Sequence, residues 1–348
     1  MSRALDKHVI AALKQGDHEK IFDDIAGLFE KRRDEYLLEI EILGRSHPLG
    51  PDETFLRDGN AVAVHKLRLV QAFLVARQIL QKHLTDGSMQ ADKLRSATSV
   101  LLLMDPEHLT AANTRKRLLR KELSSEGDVA SALTQEKWFV DSLLTSRLHR
   151  HTKSPTLWSH RRWLLQQFRE AGLAVAVQQD VEAIVMIAGE RHPRNYYAWT
   201  HARWLAKAFL TPSEHDGLVS LIHSVKKWAF RHHIDISGWS FLAHLLEETQ
   251  RKNNDETFLS VFKETLELVE SLQWTNESVW WFLRTVGSST ALGLAGREEL
   301  IKVEEKLEAI TAEGSMELNV LRSARKWSDV YGSQGHVDVP CASGQACG

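Results

Sequence analysis

Apolar residues recur at spacings of three and four along most of this 348-residue chain. An α-helix turns once every ~3.6 residues, so this spacing places them on one helical face. The stretch Ala61–Leu84 shows the pattern clearly and predicts a largely buried helix. Alternating patterns typical of strands are rare and short. The chain is therefore predicted to be nearly all α.

Three polar, flexible stretches interrupt the pattern. Gly44–Asn60 is rich in Gly, Pro and Asp and predicts a loop, and Ser124–Asp128 predicts a second break. Gly332–Gly348 is rich in Gly and Ser with few apolar residues, which predicts a disordered tail. We therefore expect an N-terminal helical segment over 1–100 with a loop at 44–60, repeats over 101–328, and a tail over 332–348.

Tryptophan spacing reveals an internal repeat. Four of the eleven tryptophans, Trp158, Trp199, Trp239 and Trp280, are separated by 41, 40 and 41 residues. Four residues before each of them stands a favoured N-cap residue: Ser154, Asn195, Asp235 and Asn276. Each tryptophan is thus predicted to lie at the end of the first turn of a helix. A degenerate earlier copy places Ala112 at the tryptophan position.

Each of these helices is apolar around much of its circumference and is preceded by an amphipathic segment. The preceding segments are Glu136–Leu148, Asp180–Gly189, Leu218–Phe230 and Glu256–Leu272. A repeat is then a pair of helices, which alone buries too little apolar surface to be stable. Stacked pairs predict an α-α superhelix, a right-handed solenoid of helical hairpins, closed at its far end by helices near Arg297–Ile310 and Glu317–Trp327.

The composition of the chain limits the classes of function that it could have. A net charge of −2 gives no global attraction to nucleic acid, and no apolar run is long enough to span a membrane. The two cysteines, Cys341 and Cys347, both fall in the predicted tail, so neither a disulfide scaffold nor a structural zinc site is expected. These features favour a reduced, cytoplasmic protein.

The repeat contexts resemble a known family. The segments Ser154–Trp163, His192–His201 and Asn276–Trp280 are similar to the repeats of protein prenyltransferase α subunits, in which Pro-basic-Asn-Tyr precedes a Trp followed by His-Arg. The degenerate first repeat and the Asp235–Gly238 segment are similar to the repeat-containing branch of that family. The resemblance covers roughly Leu102 to Ile310.

The resemblance implies a function shared between two chains. In the family, the α subunit embraces a separate β subunit, favoured here to be of the Rab type, which holds a zinc ion and the isoprenoid pocket. The pair transfers a geranylgeranyl or farnesyl group from its diphosphate to a C-terminal cysteine of a substrate protein. No cofactor and no metal are expected on this chain.

A few residues of the α subunit lie near the diphosphate in that family. By position, the candidates here are Lys153, Tyr196 and Tyr197. A lysine can offset the charge that develops on a leaving diphosphate. The alternative for Lys153 is a solvated residue before a helix, and the two tyrosines could instead pack in an interface or core. Pro155 stands where the family often has a tyrosine, so that partner of the lysine is lost.

Residues that occupy equivalent positions in successive repeats are expected to have structural roles. The four repeat tryptophans are expected in the core, and His160 and His201 occupy matching places that favour a shared structural hydrogen bond over catalysis. The resemblance implies that Arg161 braces neighbouring repeats. Ala202 and Leu242 replace this arginine in the next two repeats.

A basic run, Arg115–Arg117 with Arg120 and Lys121, has two interpretations. It could meet an acidic partner or steer an anionic diphosphate, or it could be an exposed helix face. For the whole chain, two functions stay open: the non-catalytic α subunit of a prenyltransferase, or a helical-repeat scaffold that binds proteins without an enzyme partner.

Overall fold

The computed structural model describes residues 16–30, 36–44, 47, 50, 53–124, 127–210, 215–251 and 255–331. The chain divides into two compact units, Met1–Leu205 and Ala206–Gly348. Helical pairs dominate both units, which confirms the predicted all-α repeat fold. The predicted disordered tail, with Cys341 and Cys347, lies outside the described residues.

The first unit begins with a small sheet among helices and continues into the repeats. Its elements, in chain order, are α1 (His18–Gly27), β1 (Glu39–Leu43), β2 (Phe55–Asp58), β3 (Ala61–His65), α2 (Lys66–Asp86), α3 (Ala91–Met104), α4 (Leu109–Leu123), α5 (Val129–Leu144), α6 (His149–Thr152), α7 (Pro155–Glu170), α8 (Val177–Asp180), a π-helical turn (Val181–Met186), α9 (Ile187–Arg191) and α10 (Tyr196–Phe209). The last residues of α10 belong to the second unit.

The sheet corrects two sequence-based predictions. Its order is β1-β3-β2, with β3 parallel to β1 and antiparallel to β2. The predicted loop Gly44–Asn60 therefore contains a strand, and the predicted helix Ala61–Leu84 begins only at Lys66. Val62 and Val64 alternate with smaller residues, and both valines are buried on one face of β3. This two-residue period is short and adjoins the helical pattern that begins at Lys66, so the sequence alone does not separate the strand from the helix.

A tight turn and one long-range bond fix the sheet. Gly59, with φ of +56°, makes the two-residue turn between β2 and β3, a backbone conformation that glycine adopts without steric cost. On the other side of the sheet, the amide of Arg147 donates to the carbonyl of Ile40 in β1 at 3.2 Å. The sheet is thereby joined to the segment that follows α5.

The repeat helices begin at the predicted caps. Side-chain oxygens of Ser154 and Asn195 accept hydrogen bonds from amides three residues later, at 3.1 and 3.2 Å. In the degenerate first repeat, Nδ1 of His108 accepts from the amide of Ala111 at 3.1 Å. Each bond satisfies one of the free N–H groups of a first helical turn. Helices α4, α7 and α10 are therefore the inner helices of three successive repeats.

The second unit continues the repeats with helices alone. Its described elements are α11 (His215–Arg231), α12 (Ile236–Arg251), α13 (Asp255–Leu272), α14 (Glu277–Gly287), a 3-10 turn (Thr290–Leu292), α15 (Gly293–Ile310) and α16 (Met316–Tyr331). Trp239 and Phe282 pack in the core of this unit, with ring centroids 4.9 Å apart. Helices α15 and α16 coincide with the segments predicted to close the far end.

Candidate functional site

A buried ion pair connects the first two repeats. Arg115 on α4 bonds Glu136 on α5 through two nitrogens, at 2.8 and 2.6 Å. Nε2 of His160 on α7 lies 3.2 Å from the same carboxylate. All three side chains are buried. Arg115 and His160 outweigh the burial of Glu136 and hold the pKa of its carboxyl well below its usual range, so the carboxylate stays ionised.

The next repeat contains the same arrangement with more charges. Nε of Arg161 on α7 donates to Asp141 at 2.7 Å, and its Nη2 lies 2.9 Å from Asp180. Lys137 bonds the same two carboxylates at 2.7 and 2.9 Å. Two cations and two anions thus form a closed ring with little exposure to solvent. Its charges balance, which offsets much of the desolvation penalty of burying them.

In both sets, an arginine of one inner helix bonds an acid of the next outer helix, Glu136 or Asp180. The histidine of the next inner helix completes each set: His160 contacts Glu136, and His201 contacts Arg161. Arg115 is three residues after Ala112, as Arg161 is three residues after Trp158. His160 and His201 each lie two residues after their tryptophan. We call this set of contacts the arginine ladder. Its groups are buried and mutually paired, so they brace the repeats and cannot reach a substrate.

In the second unit, the ladder positions carry apolar residues. The histidine and arginine positions of the last two repeats are Phe241-Leu242 and Phe282-Leu283, and all four side chains are fully buried. The polar contacts of the first unit are therefore replaced in the second by hydrophobic packing. Apolar side chains at these positions bury no charge, so they need no acid to neutralise them.

The loops before the inner helices are held by bonds from side chains. Nε1 of Trp158 donates to the carbonyl of Thr152 at 2.8 Å, and Nδ2 of Asn195 donates to the same carbonyl at 2.7 Å. Trp239 and Trp280 make the equivalent indole bonds to carbonyls six residues earlier, at 2.9 and 2.8 Å. Asn195 therefore caps its own helix and also fixes the loop that carries Lys153.

That loop and the start of α10 form an exposed basic and aromatic rim, defined here by Lys153, His149, His192, Tyr196 and Tyr197. The rings of His149 and His192 are in edge contact, 5.2 Å apart. The rings of Tyr196 and Tyr197 lie 5.8 Å apart, and their side chains are 69% and 41% exposed. Partial burial and the charge of Lys153 lower the pKa of His192. The rim therefore presents cationic and phenolic donors to solvent.

Comparison with known proteins addresses the origin of these repeats. Residues 142–168 match the family model "Protein prenyltransferase alpha subunit repeat". The chain is also 30% identical to "Protein prenyltransferase alpha subunit repeat-containing protein 1" of Danio rerio, over 46% of this chain and 39% of that relative. The chain thus contains a repeat of the prenyltransferase α-subunit type and is similar to a protein named for that repeat. It matches less than half the length of that curated relative.

A second family model overlaps the α-subunit repeats. Residues 157–271 match the model described as the ECM9 middle domain. This segment runs from the start of α7 to the end of α13 and so includes residues of both units. The repeats of this chain are therefore similar to two families.

The predicted site residues of the α-subunit repeat fall into two groups. Trp158, Trp199, Trp239 and Trp280 are buried, as are His160, Arg161 and His201. Lys153, Tyr196 and Tyr197 are exposed, and the bond from Asn195 to the Thr152 carbonyl joins the two segments that carry them. The residues of the basic run do not share one environment. Arg115 is buried in the ladder, whereas Arg117 and Arg120 are exposed on the surface of α4.

The acidic residues of the ladder were not identified from the sequence. Glu136, Asp141 and Asp180 appear in the chain as ordinary polar positions of amphipathic helices. One feature of the sequence could have identified them: each acid lies on an outer helix, between the arginine of one repeat and the histidine of the next. In the described part of the chain, no group of three or more His, Cys, Asp or Glu side chains is arranged to hold a metal ion. No helix among those described residues is long and apolar enough to cross a membrane.

Proposed function

We propose that this chain is the scaffolding α subunit of a heterodimeric protein prenyltransferase in the cytoplasm. A β subunit of the Rab type, carrying a zinc ion, would bind the isoprenoid and activate the thiol of the acceptor protein. Zinc coordination lowers the pKa of a thiol, which supplies the thiolate nucleophile. The chain described here would contribute its rim to the diphosphate of a geranylgeranyl or farnesyl donor.

The rim is the observation that carries this proposal. Lys153, Tyr196 and Tyr197 are exposed on adjoining repeats, and no described carboxylate lies within ion-pair distance of Lys153. An ammonium group and phenol hydroxyls are suitable donors to phosphate oxygens. The repeat tryptophans, His160, Arg161 and His201 are buried, so among the predicted site residues only those of the rim could meet a reacting group. The activity itself would belong to the pair.

A specific observation favours a second function. Pro155 replaces the tyrosine expected two residues after Lys153, and part of the chain matches the ECM9 middle domain instead. Both features are compatible with a helical-repeat scaffold that binds other proteins without an enzyme partner. On this alternative, the rim would be a protein contact and Lys153 an ordinary solvated lysine.

Co-expression separates the two functions. The chain would be produced with a tagged prenyltransferase β subunit of each class, with a β subunit alone as the control. The proposal expects co-purification with one β subunit and zinc-dependent transfer of a labelled isoprenoid to a cysteine-terminated acceptor. A chain that stays folded but co-purifies with no β subunit would exclude the α-subunit role and leave the scaffold.

A further inference from the structure

A set of cations lies on tryptophan rings along the inner helices of the first unit. Nζ of Lys116 and Cζ of Arg120, both on α4, lie 5.6 and 5.4 Å from the ring centroid of Trp163. One repeat later, Cζ of Arg162 lies 4.9 Å from the ring centroid of Trp204. These five residues define the cation–tryptophan belt. It lies on the helices beyond the rim and shares no residue with it.

Within the described part of the chain, the belt's positive charges form no ion pair. No described carboxylate lies within 4.0 Å of Lys116, Arg120 or Arg162, nor of the neighbouring exposed Arg117. Partial burial and the nearby Arg120 lower the pKa of Lys116. The fold therefore holds like charges close together on a surface where separate, solvated side chains would repel each other less.

The two tryptophan rings hold the cationic side chains of the belt in place. A guanidinium held over an indole face is attracted to the ring and keeps N–H groups free to donate. Arg162 is exposed and Trp204 half-buried, so the cation lies on the solvent side of the pair. Oriented, unpaired guanidinium groups of this kind are suited to carboxylate oxygens, which they can bind through two parallel hydrogen bonds.

The same tryptophans are poorly placed to bind nucleic acid bases. Trp163 is flanked by the two cations of α4 and by His160, whose ring centroid is 5.8 Å away. Trp204 is flanked by Arg162 and by His201, at 5.3 Å between ring centroids. Single-stranded nucleic acid binding uses open aromatic faces on which bases stack. Carboxylates need only the cations and leave the stacks intact.

We propose that the cation–tryptophan belt is a docking surface for an acidic segment of a partner protein. The segment's carboxylates would bind Lys116, Arg120 and Arg162, with the two indoles holding those cations in place. This inference does not rest on the prenyltransferase role, because the belt is built from other residues than the rim. It would apply equally to a scaffold.

Fluorescence anisotropy of the full chain with a labelled acidic peptide tests the inference. The probe is a peptide of Glu-Glu-Ala repeats, with a Gln-Gln-Ala peptide and a labelled single-stranded oligouridine of similar length as comparisons. We expect binding of the glutamate peptide only, weakened as salt approaches about 0.1 M and above, because exposed charges are then screened. Neutralising the belt with K116Q, R120Q and R162Q together should weaken binding by about tenfold or more.

Matched variants separate charge from packing. The triple variant R77Q, K82Q and K121Q removes the same charge from exposed positions of the first unit outside the belt, and we expect less than about a twofold change. The variant R120K with R162K keeps the charge and should retain most of the binding. Equal loss in both glutamine triples would overturn the docking surface. Binding of the oligouridine that depends on the belt would overturn an acidic protein segment as its ligand.

Discussion

Nη1 of Arg161 lies 2.8 Å from Nε2 of His201, so this ring nitrogen accepts the bond and carries no proton. Arginine stays protonated at any ordinary pH, which fixes the direction of the bond. Burial and the charge of Arg161 lower the pKa of His201 well below its usual range. His201 is therefore a neutral acceptor in the ladder and is not available as a general acid.

Arg161 is expected to be critical for the stability of the first unit. Replacing it with leucine, the residue found one unit later at Leu242, would leave Asp141 and Asp180 buried with only Lys137 to pair them. Breaking a buried ion pair from one side costs about 3–5 kcal/mol. Urea unfolding should show a loss of this size for R161L and less than about 1 kcal/mol for the exposed neighbour R162L. Similar midpoints for the two variants would contradict a bracing role.

Asn195 should contribute more than an ordinary helix cap. The N195A change removes the cap of α10 and the bond to the Thr152 carbonyl, and we expect a cost of about 2 kcal/mol. D128A is the matched control, because Asp128 caps α5 at an exposed position through its bond to the amide of Ser131. Its cost should be about 1 kcal/mol. Equal unfolding free energies in the two variants would show that the loop bond adds nothing.

Buried histidines should make the first unit sensitive to mild acid. Burial lowers the pKa of His151 to about 4, while Nε2 contacts the carbonyls of Leu102 and Leu103 at 3.1 and 3.0 Å. Between about pH 6.5 and pH 4 the unfolded chain binds this proton and the folded chain does not. The free energy of unfolding should therefore fall by up to about 3 kcal/mol as the pH drops across that window.

The variant H151N assigns this pH dependence to one residue. An asparagine can donate to the same carbonyls but does not titrate, so the slope between pH 6.5 and 4 should become shallower. Denaturant unfolding at closely spaced pH values measures the slope. His160 and His201 also have lowered pKa values and should maintain part of it. An unchanged slope in H151N would mean that His151 does not contribute.

Glu304 in the second unit should make the fold less stable as the pH rises, the opposite of the effect of His151. Burial, together with Glu308 and Asp329, raises its pKa to about 7, although Arg325 lies 3.7 Å away and partly offsets them. A carboxyl whose pKa is raised by folding stabilises the fold fully at pH values below the pKa it has in the unfolded chain. This stability is lost as the pH rises through about 7, the pKa in the folded chain. E304Q should therefore raise the melting temperature at pH 8 and change it little at pH 5.

An exposed carboxylate of the same helix provides the control for that experiment. Glu299 lies on α15 and is solvent-exposed, so E299Q should leave the melting temperature nearly unchanged at both pH values. Scanning calorimetry at the two pH values would make the comparison. A gain in E304Q that is equal at pH 5 and pH 8 would indicate repacking of the side chain instead of removal of a charge.

Lys153 is expected to affect turnover without affecting assembly. If the chain pairs with a prenyltransferase β subunit, K153A should lower kcat by about tenfold or more, because the leaving diphosphate loses one cation. The amount of β subunit that co-purifies should stay the same, since Lys153 has no ion pair within the described chain. K121A, an exposed lysine on α4, should leave both measurements unchanged. Unchanged kinetics in K153A would remove Lys153 from the site.

The period of the tryptophans was sufficient to predict the repeat fold, because each one pairs with an N-cap at a fixed distance. The ladder was harder to predict. Arg115 belongs to a basic run that resembles a solvated surface, and its acid, Glu136, lies 21 residues away on another helix. Long-range pairing of this kind has no periodic signal in one sequence. Only the family resemblance indicated a structural role, and it did so for Arg161 alone.

The sheet was missed for a different physical reason. Val62 and Val64 belong to a five-residue strand that runs directly into a 21-residue helix. A window long enough to detect a helix averages over both elements, so the short alternation is lost. Gly59 and Asn60, which form the hairpin turn, were the better local indicator. For the rim, the family resemblance indicated Lys153 and the two tyrosines, but nothing in the sequence indicated the ring contact between His149 and His192.

The π-helical turn Val181–Met186 has a consequence for how the repeats can vary in length. A π turn contains one residue more than an α turn, and single turns of this kind form inside helices without ending them. An insertion of one residue can thus be absorbed within an outer helix, while Asp180 keeps its place beside Arg161 and Trp158 and Trp199 keep theirs.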